Sequence, residues 1–181
     1  TDIPSELSVE IGGSYEDQQD MFGDLIMLLA MIIILVYIVM ASQFESFMSP
    51  FVIMFSIPFA FVGVFLGLWI TGTPLGTMGM IGILILMGIV VKNGIVLIDY
   101  TILMRERGKS VAEASVIAAK SRLRPILMTT LTTVLGMVPM AIGQGEGSEM
   151  WRSLGMVVAW GLSISTLVTL VIIPTVYASM A

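Results

Sequence analysis

Five long runs of apolar residues dominate this sequence and restrict the folds open to it. An α-helix needs about 20 apolar residues to cross the hydrocarbon layer of a membrane. Only 12% of the residues are charged, about half of the roughly 25% typical of a soluble domain. We therefore predict an all-α integral membrane fold whose five transmembrane helices span residues 22–42, 50–71, 78–99, 125–143 and 154–178.

The charged residues are segregated along the chain, and this segregation predicts a topology. Seven of the thirteen acidic residues lie in the first 24 positions, which contain no Lys or Arg. Six of the eight basic residues lie between positions 105 and 124. A basic segment between two apolar runs is typical of a cytoplasmic loop. We therefore expect residues 100–124 in the cytoplasm, the N-terminus on the outer side and the C-terminus in the cytoplasm.

The basic segment also contains the start signal of a helix. Ser110 is followed three residues later by Glu113, the spacing of a capping box. We expect a short helix over residues 111–121 along the cytoplasmic membrane face, and Pro125 in the first turn of the fourth span. The third run continues as a helical pattern to about Arg105.

Both ends of the chain suggest that it is a piece of a longer protein. The acidic opening lacks the basic start of a signal peptide. The chain stops directly after an apolar run. We expect a preceding domain and further transmembrane helices elsewhere.

Lys92 is the first candidate for chemistry, because it lies well inside an apolar run. A basic residue within a membrane helix costs several kcal/mol unless it is paired or hydrated, and therefore points to function. The alternative is a lysine that reaches to the nearby interface. Side chains on a helix lean toward its N-terminus, which on this span is toward the middle of the membrane. We expect its neutralising carboxylate outside this chain; Asp99 lies seven residues on, near the cytoplasmic boundary.

The fourth span carries a polar stripe. Arg122, Thr129 and Thr133 recur at spacings of seven and four residues, so they share one face of a helix. With Arg122 at the cytoplasmic entrance, the aligned threonines could line a hydrated proton path. For Thr130 and Thr132 we favour hydrogen bonds to the carbonyl groups of their own helix.

Other features of the sequence favour packing over chemistry. Gly63 and Gly67 form a G-x-x-x-G pair, which permits close helix packing. The chain has no cysteine or histidine, and the sixteen methionines do not cluster like a copper relay. No phosphate-binding loop, nucleophile elbow or zinc-protease motif occurs. We predict no enzyme activity, no metal or cofactor, and no nucleic-acid binding.

Three stretches carry a resemblance to a known family. They are Ala41-Ser-Gln-Phe-Glu-Ser-Phe47, Gly88-Ile-Val-Val-Lys-Asn-Gly94 and Arg122-Leu-Arg-Pro-Ile-Leu-Met-Thr-Thr130, with the Gly143–Gly147 loop and Ile173-Pro174 in support. Together they resemble the resistance–nodulation–cell division (RND) exporters, most closely the hydrophobe/amphiphile (multidrug) branch of Gram-negative bacteria. Residues 22–178 would be the last five of twelve transmembrane helices, and residues 1–21 the tail of the last periplasmic porter subdomain.

The resemblance implies a proton relay that drives drug export. In it Lys92 pairs with two aspartates on a helix of the N-terminal half, and Asn93, Arg122 and Thr129 belong to the same relay, with Asp99 and Thr133 as possible helpers. It also implies the bacterial inner membrane, a homotrimer, a periplasmic adaptor and an outer-membrane channel. The Lys92-Asn93 pair favours organic substrates over metals.

Two other classes of function stay open from the sequence. One is a non-transporting scaffold or assembly module of a larger export complex, for which the charge of Lys92 would not matter. The other is a membrane subunit of protein or lipid export, whose loss would affect secretion or the cell envelope and not drug susceptibility.

Overall fold

The computed structural model describes residues 14–143, 145 and 147–180, and every regular element in them is an α-helix. Five helical units are long and apolar enough to cross a membrane, which confirms the predicted all-α membrane fold. One unit is divided in two, so that the described residues form six helices: α1 (Ser14–Phe44), α2 (Met48–Met54), α3 (Ile57–Thr71), α4 (Thr77–Glu106), α5 (Val111–Ile142) and α6 (Ser148–Met180).

The second span is broken in its middle, where we expected one helix over residues 50–71. Pro58 is among the first residues of α3. A proline has no N–H to donate to the carbonyl four residues earlier, here that of Met54, and its ring collides with that carbonyl. Accordingly α2 ends at Met54, and the Ser56 hydroxyl donates to the Ile53 carbonyl at 2.6 Å.

The separate surface helix predicted over residues 111–121 is wrong. These residues are helical, but they continue without interruption through Pro125 into the fourth span, so that α5 is one helix of 32 residues. Pro125 leaves only the Ser121 carbonyl without its helical donor. Both side chains are exposed, so solvent or lipid headgroups can reach that carbonyl. The Ser110 cap is confirmed, since its hydroxyl accepts from the Glu113 N–H at 3.3 Å.

The ends of two other segments differ from expectation or lie partly outside the described residues. Helix α1 begins at Ser14, so residues 14–21 of the expected periplasmic tail belong to the first helix; residues 1–13 are outside the described part. Helix α4 runs to Glu106, close to the predicted Arg105. Of the 143–147 loop, positions 143, 145 and 147 are described.

Helix α6 lies at the centre of the bundle, packed against α3, α4 and α5. Glycines make these contacts close. A Cβ atom on Gly63 would lie 2.9 Å from Ile164 Cβ, and one on Gly67 would collide with Trp160. The G-x-x-x-G pair therefore does serve helix packing.

The contacts also give the relative directions of the helices. Along α4, residues 79, 82, 86 and 94 meet residues 153, 157, 161 and 173 of α6, so these two helices are parallel. Ala141 meets Gly155 and Thr130 meets Thr166, so α5 is antiparallel to α6. The last three spans, α4, α5 and α6, therefore alternate in direction, as consecutive membrane crossings must.

Candidate functional site

Lys92 lies on the open side of α4, beside α1. It lines a groove of about 340 Å³ and its side chain is exposed. The other lining residues are all apolar or glycine: Leu35, Val36, Val39, Met40, Gly88, Val91, Ile95 and Val96. The residues that line the groove beside Lys92 therefore offer its side chain no hydrogen-bond acceptor from their own side chains.

Asn93 follows Lys92 in sequence but lies on the closed side of α4. Its side chain is buried, with 7% of its surface accessible. The next residue, Gly94, is pressed against the bundle, since a Cβ atom there would lie 2.8 Å from Ile53 and 3.2 Å from Ile173. The structure therefore separates the Lys-Asn pair: the lysine faces the groove and the asparagine faces the bundle interior.

Arg122 contacts the preceding helix through an aromatic ring. Its guanidinium carbon lies 4.8 Å from the centre of the Tyr100 ring, within the range of a cation–π interaction. The Arg122 side chain is half-buried, and its Nε atom is buried and has no hydrogen-bond partner among the described residues. This arginine is therefore held against α4 and does not extend freely into solvent.

The depth of each predicted residue follows from these contacts. Because α5 is antiparallel to α4, the seven residues from Arg122 to Thr129 correspond to seven residues back along α4, from Tyr100 to Asn93. Thr129 therefore lies at the depth of Lys92 and Asn93. Arg122 lies about 10 Å further along the α4 axis, taking 1.5 Å for each of the seven residues, at the depth of Asp99.

The hydroxyl groups of Thr129 and Thr133 are directed to their own helix. Thr129 donates to the Pro125 carbonyl and Thr133 donates to the Thr129 carbonyl, each at 2.9 Å. Their oxygens keep free lone pairs, so they can accept a hydrogen bond from water or another chain. Asp99, the other possible helper, is exposed.

The prediction for Thr130 is wrong, whereas that for Thr132 is confirmed. Thr132 is exposed and donates to the Met128 carbonyl at 2.8 Å. Thr130 is buried, and its hydroxyl oxygen lies 3.0 Å from that of Thr166 on α6. The side chain turns away from its own backbone because it faces a polar residue of the central helix.

Comparison with known proteins shows the family of the chain. The sequence model of the AcrB/AcrD/AcrF family matches residues 1–181. The chain belongs to this family. It is an RND-type membrane protein, as its motifs predicted.

Several curated members of the AcrB/AcrD/AcrF family resemble the chain at similar identity. The swarming motility protein SwrC of Bacillus subtilis is 41% identical over 99% of the chain. The cobalt-zinc-cadmium resistance protein CzcA of Cupriavidus metallidurans is 43% identical over 61% of it. The multidrug resistance protein MdtC of Erwinia tasmaniensis is 43% identical over 59%. The chain spans 10–17% of the length of these relatives.

Solved structures support the same family. A crystal structure of a heavy metal efflux pump superposes with a TM-score of 0.83 at 32% sequence identity, covering 93% of the chain and 16% of the pump. The arrangement of the helices is therefore that of the corresponding part of an RND pump.

Two groups of residues that lie near the candidate relay in the structure were not singled out from the sequence. Tyr100 was missed because an aromatic residue at the end of an apolar span is ordinary at a membrane interface. Ser165, Thr166 and Thr169 of α6 are all buried, and the hydroxyls of Ser165 and Thr169 have no hydrogen-bond partner in the described structure. Four Ser or Thr residues within the seven positions 163–169 of this apolar run, counting Ser163, were the available signal.

Proposed function

We propose that this chain contributes the Lys92, Asn93, Arg122 and Thr129 side of the relay in a proton-driven efflux transporter. The observation that carries the proposal is the position of Lys92, exposed in an apolar groove on the open side of a membrane span. A charge in such surroundings requires water or a counter-charge. Its position on the open side lets a helix from outside this chain supply that counter-charge.

The counter-charge proposed here is a carboxylate pair, as in the RND exporters that the motifs resemble. With both carboxylates ionised, Lys92 is attracted to them across the groove. Protonation of one carboxylate weakens that attraction and releases the lysine. The helices then shift between two packings, so that proton entry is coupled to a change of shape. Each proton contributes about 2.3 kcal/mol per 100 mV of membrane potential.

The substrates we propose are hydrophobic or amphiphilic compounds. The Lys-Asn pair supports this choice by its resemblance to the multidrug branch, and MdtC, with "multidrug" in its name, is 43% identical. Metal cations are the second candidate, because CzcA is equally similar and the superposed structure is that of a heavy metal efflux pump. Growth of a strain lacking the full-length parent, challenged with amphiphilic drugs and with divalent metals, separates the two.

The proposed setting is the inner membrane of a bacterium, with the N-terminus in the periplasm and the C-terminus in the cytoplasm. The segregated charges support this orientation. Membrane lipid surrounds the bundle. By family resemblance the complete pump is a homotrimer that meets a periplasmic adaptor and an outer-membrane channel.

The decisive experiment is Lys92→Ala in the full-length parent. We expect proton-coupled efflux to fall about 100-fold or more, the range over which a positioned proton-transfer group acts, while the protein still inserts into the membrane. Lys109→Ala is the matched control, because Lys109 is exposed in the turn between α4 and α5 and its loss should leave efflux unchanged.

Normal efflux from Lys92→Ala at matched expression would contradict the relay. It would favour the scaffold or assembly module instead. A parent whose loss alters secretion or the cell envelope, with drug and metal susceptibility unchanged, would point to the protein- or lipid-export subunit.

A further inference from the structure

Tyr100 lies two turns beyond Lys92 on α4 and has no role in the relay proposed above. Its ring is partly buried and packs against an apolar cluster that includes Ile98, Ala118 and Tyr177. The cluster supports the ring, which is thereby fixed to α4. Its accessible face carries the guanidinium of Arg122, 4.8 Å from the ring centre.

Arg122 depends on this ring for its position. The Nε atom is buried and has no hydrogen-bond partner in the described part of the chain. A buried donor without a partner is unfavourable, whereas a desolvated guanidinium over an aromatic face is stabilised. Nearby Arg124 shows the alternative, since its side chain is exposed as expected for a long cation that reaches the membrane surface. Without the ring, Arg122 is free to move outward in the same way.

We propose that Tyr100 is a positioning residue that holds the Arg122 guanidinium and ties it to the helix bearing Lys92. This inference rests on the proposed relay. Lys92 and Arg122 lie about 10 Å apart along the axis and carry like charges, so they do not pair directly. A shift of α4 when Lys92 is released moves the Tyr100 ring, and the ring carries the guanidinium with it.

The test uses variants of the full-length parent at matched expression. Tyr100→Leu removes the ring face, and we expect efflux to fall about tenfold, because Arg122 loses the desolvated cation–π contact that holds its guanidinium. Tyr100→Phe and Tyr100→Trp keep a ring face and should retain efflux. Tyr37→Leu is the matched control: Tyr37 is half-buried on α1, outside the lining of the Lys92 groove, and efflux should persist.

A second measurement separates the cation–π contact from simple packing. Increasingly fluorinated phenylalanines placed at position 100 withdraw charge from the ring face while changing its size little. We expect efflux to decline stepwise with fluorination. Equal efflux across the fluorinated series, or loss in Tyr100→Phe as large as in Tyr100→Leu, would overturn the proposal. Where Tyr100→Leu does not reach the membrane, the fluorinated series and Tyr100→Trp decide.

Arg122→Ala, measured in parallel, distinguishes this inference from the function on which it rests. Normal efflux in Arg122→Ala contradicts the role of the arginine in the relay. Loss of efflux in Arg122→Ala together with normal efflux in Tyr100→Leu contradicts the role of Tyr100 alone.

Discussion

The two faces of α4 differ in packing although both are built from the same residue types. On one face, Gly82 and Gly94 lie so close to α6 and α2 that an added Cβ atom would come within 3.2 Å of Val157 and 2.8 Å of Ile53. On the other face, a Cβ atom added to Gly88 would have no described atom of another helix within 4 Å, and Gly88 borders the groove of Lys92. Gly82 and Gly94 therefore allow close helix packing, whereas Gly88 leaves space at the groove.

This difference shows which helix faces are packed within the described bundle and which are left without a protein neighbour in it. The closed face is stabilised by contacts within the described bundle. Of the most apolar 18-residue stretch of α4, 56% is buried. Helix α1 lies across the groove, and only 6% of its most apolar 18-residue stretch is buried. Its exposed apolar side chains can meet lipid or further protein. Lys92 lies on this incompletely covered side, where an additional helix can approach it.

The largest expected effect comes from the same substitution on the two faces of α4, made in the 181-residue chain. Gly94→Leu should lower the free energy of unfolding by about 2 kcal/mol or more, because overpacking displaces neighbouring side chains. Gly88→Leu should leave it unchanged or raise it by up to about 1 kcal/mol, since leucine is the better helix former. Unfolding in detergent micelles measures both.

Equal destabilisation by Gly94→Leu and Gly88→Leu would show that the groove beside Gly88 is closed. The two faces of α4 would then not differ in packing. If Gly88→Leu is tolerated in the isolated chain but lowers efflux in the full-length parent, the contrast is sharpened. The groove would then be occupied in the complete protein.

A smaller effect is expected for the threonines of α5, where the same contrast between buried and exposed faces recurs. Thr130→Val should destabilise the chain by about 1 kcal/mol, because it removes a hydrogen bond between two membrane helices. Thr132→Val removes only a bond to its own helix and should change stability by less than about 0.5 kcal/mol. A double-mutant cycle with Thr166→Val isolates the Thr130 contact. Additive effects in that cycle would contradict it.

Two cysteine substitutions in the turns at opposite ends of the bundle are expected to disturb the protein least, and labelling of the two cysteines compares those ends. Ser110→Cys, before α5, should react with a membrane-impermeant thiol reagent only from the cytoplasmic side. Thr73→Cys, between α3 and α4, should react only from the outer side, because one membrane crossing separates the two turns. Labelling with the sides reversed would invert the proposed orientation but leave the helix packing intact.

Part of the candidate site was predictable from the sequence, namely the identities of its charged residues. Lys92 stands out because a charge inside an apolar run is unfavourable wherever the helix packs. The direction of each side chain was not predictable. Asn93 faces the interior and Lys92 the groove, yet the residues around both are apolar. Thr130 and Thr132 likewise have similar neighbours in sequence, and only the position of Thr166 on α6 gives Thr130 a partner.

The sequence by itself determined the membrane location, the number of spans and the family, because long apolar runs and ordered motifs are properties of the chain alone. Only the tertiary structure decided that α5 is continuous through Pro125, that Arg122 lies over Tyr100, and which glycines of α4 are packed. The physical reason is that a membrane helix is apolar on every side. Its pattern therefore cannot distinguish the face that meets lipid from the face that meets another helix.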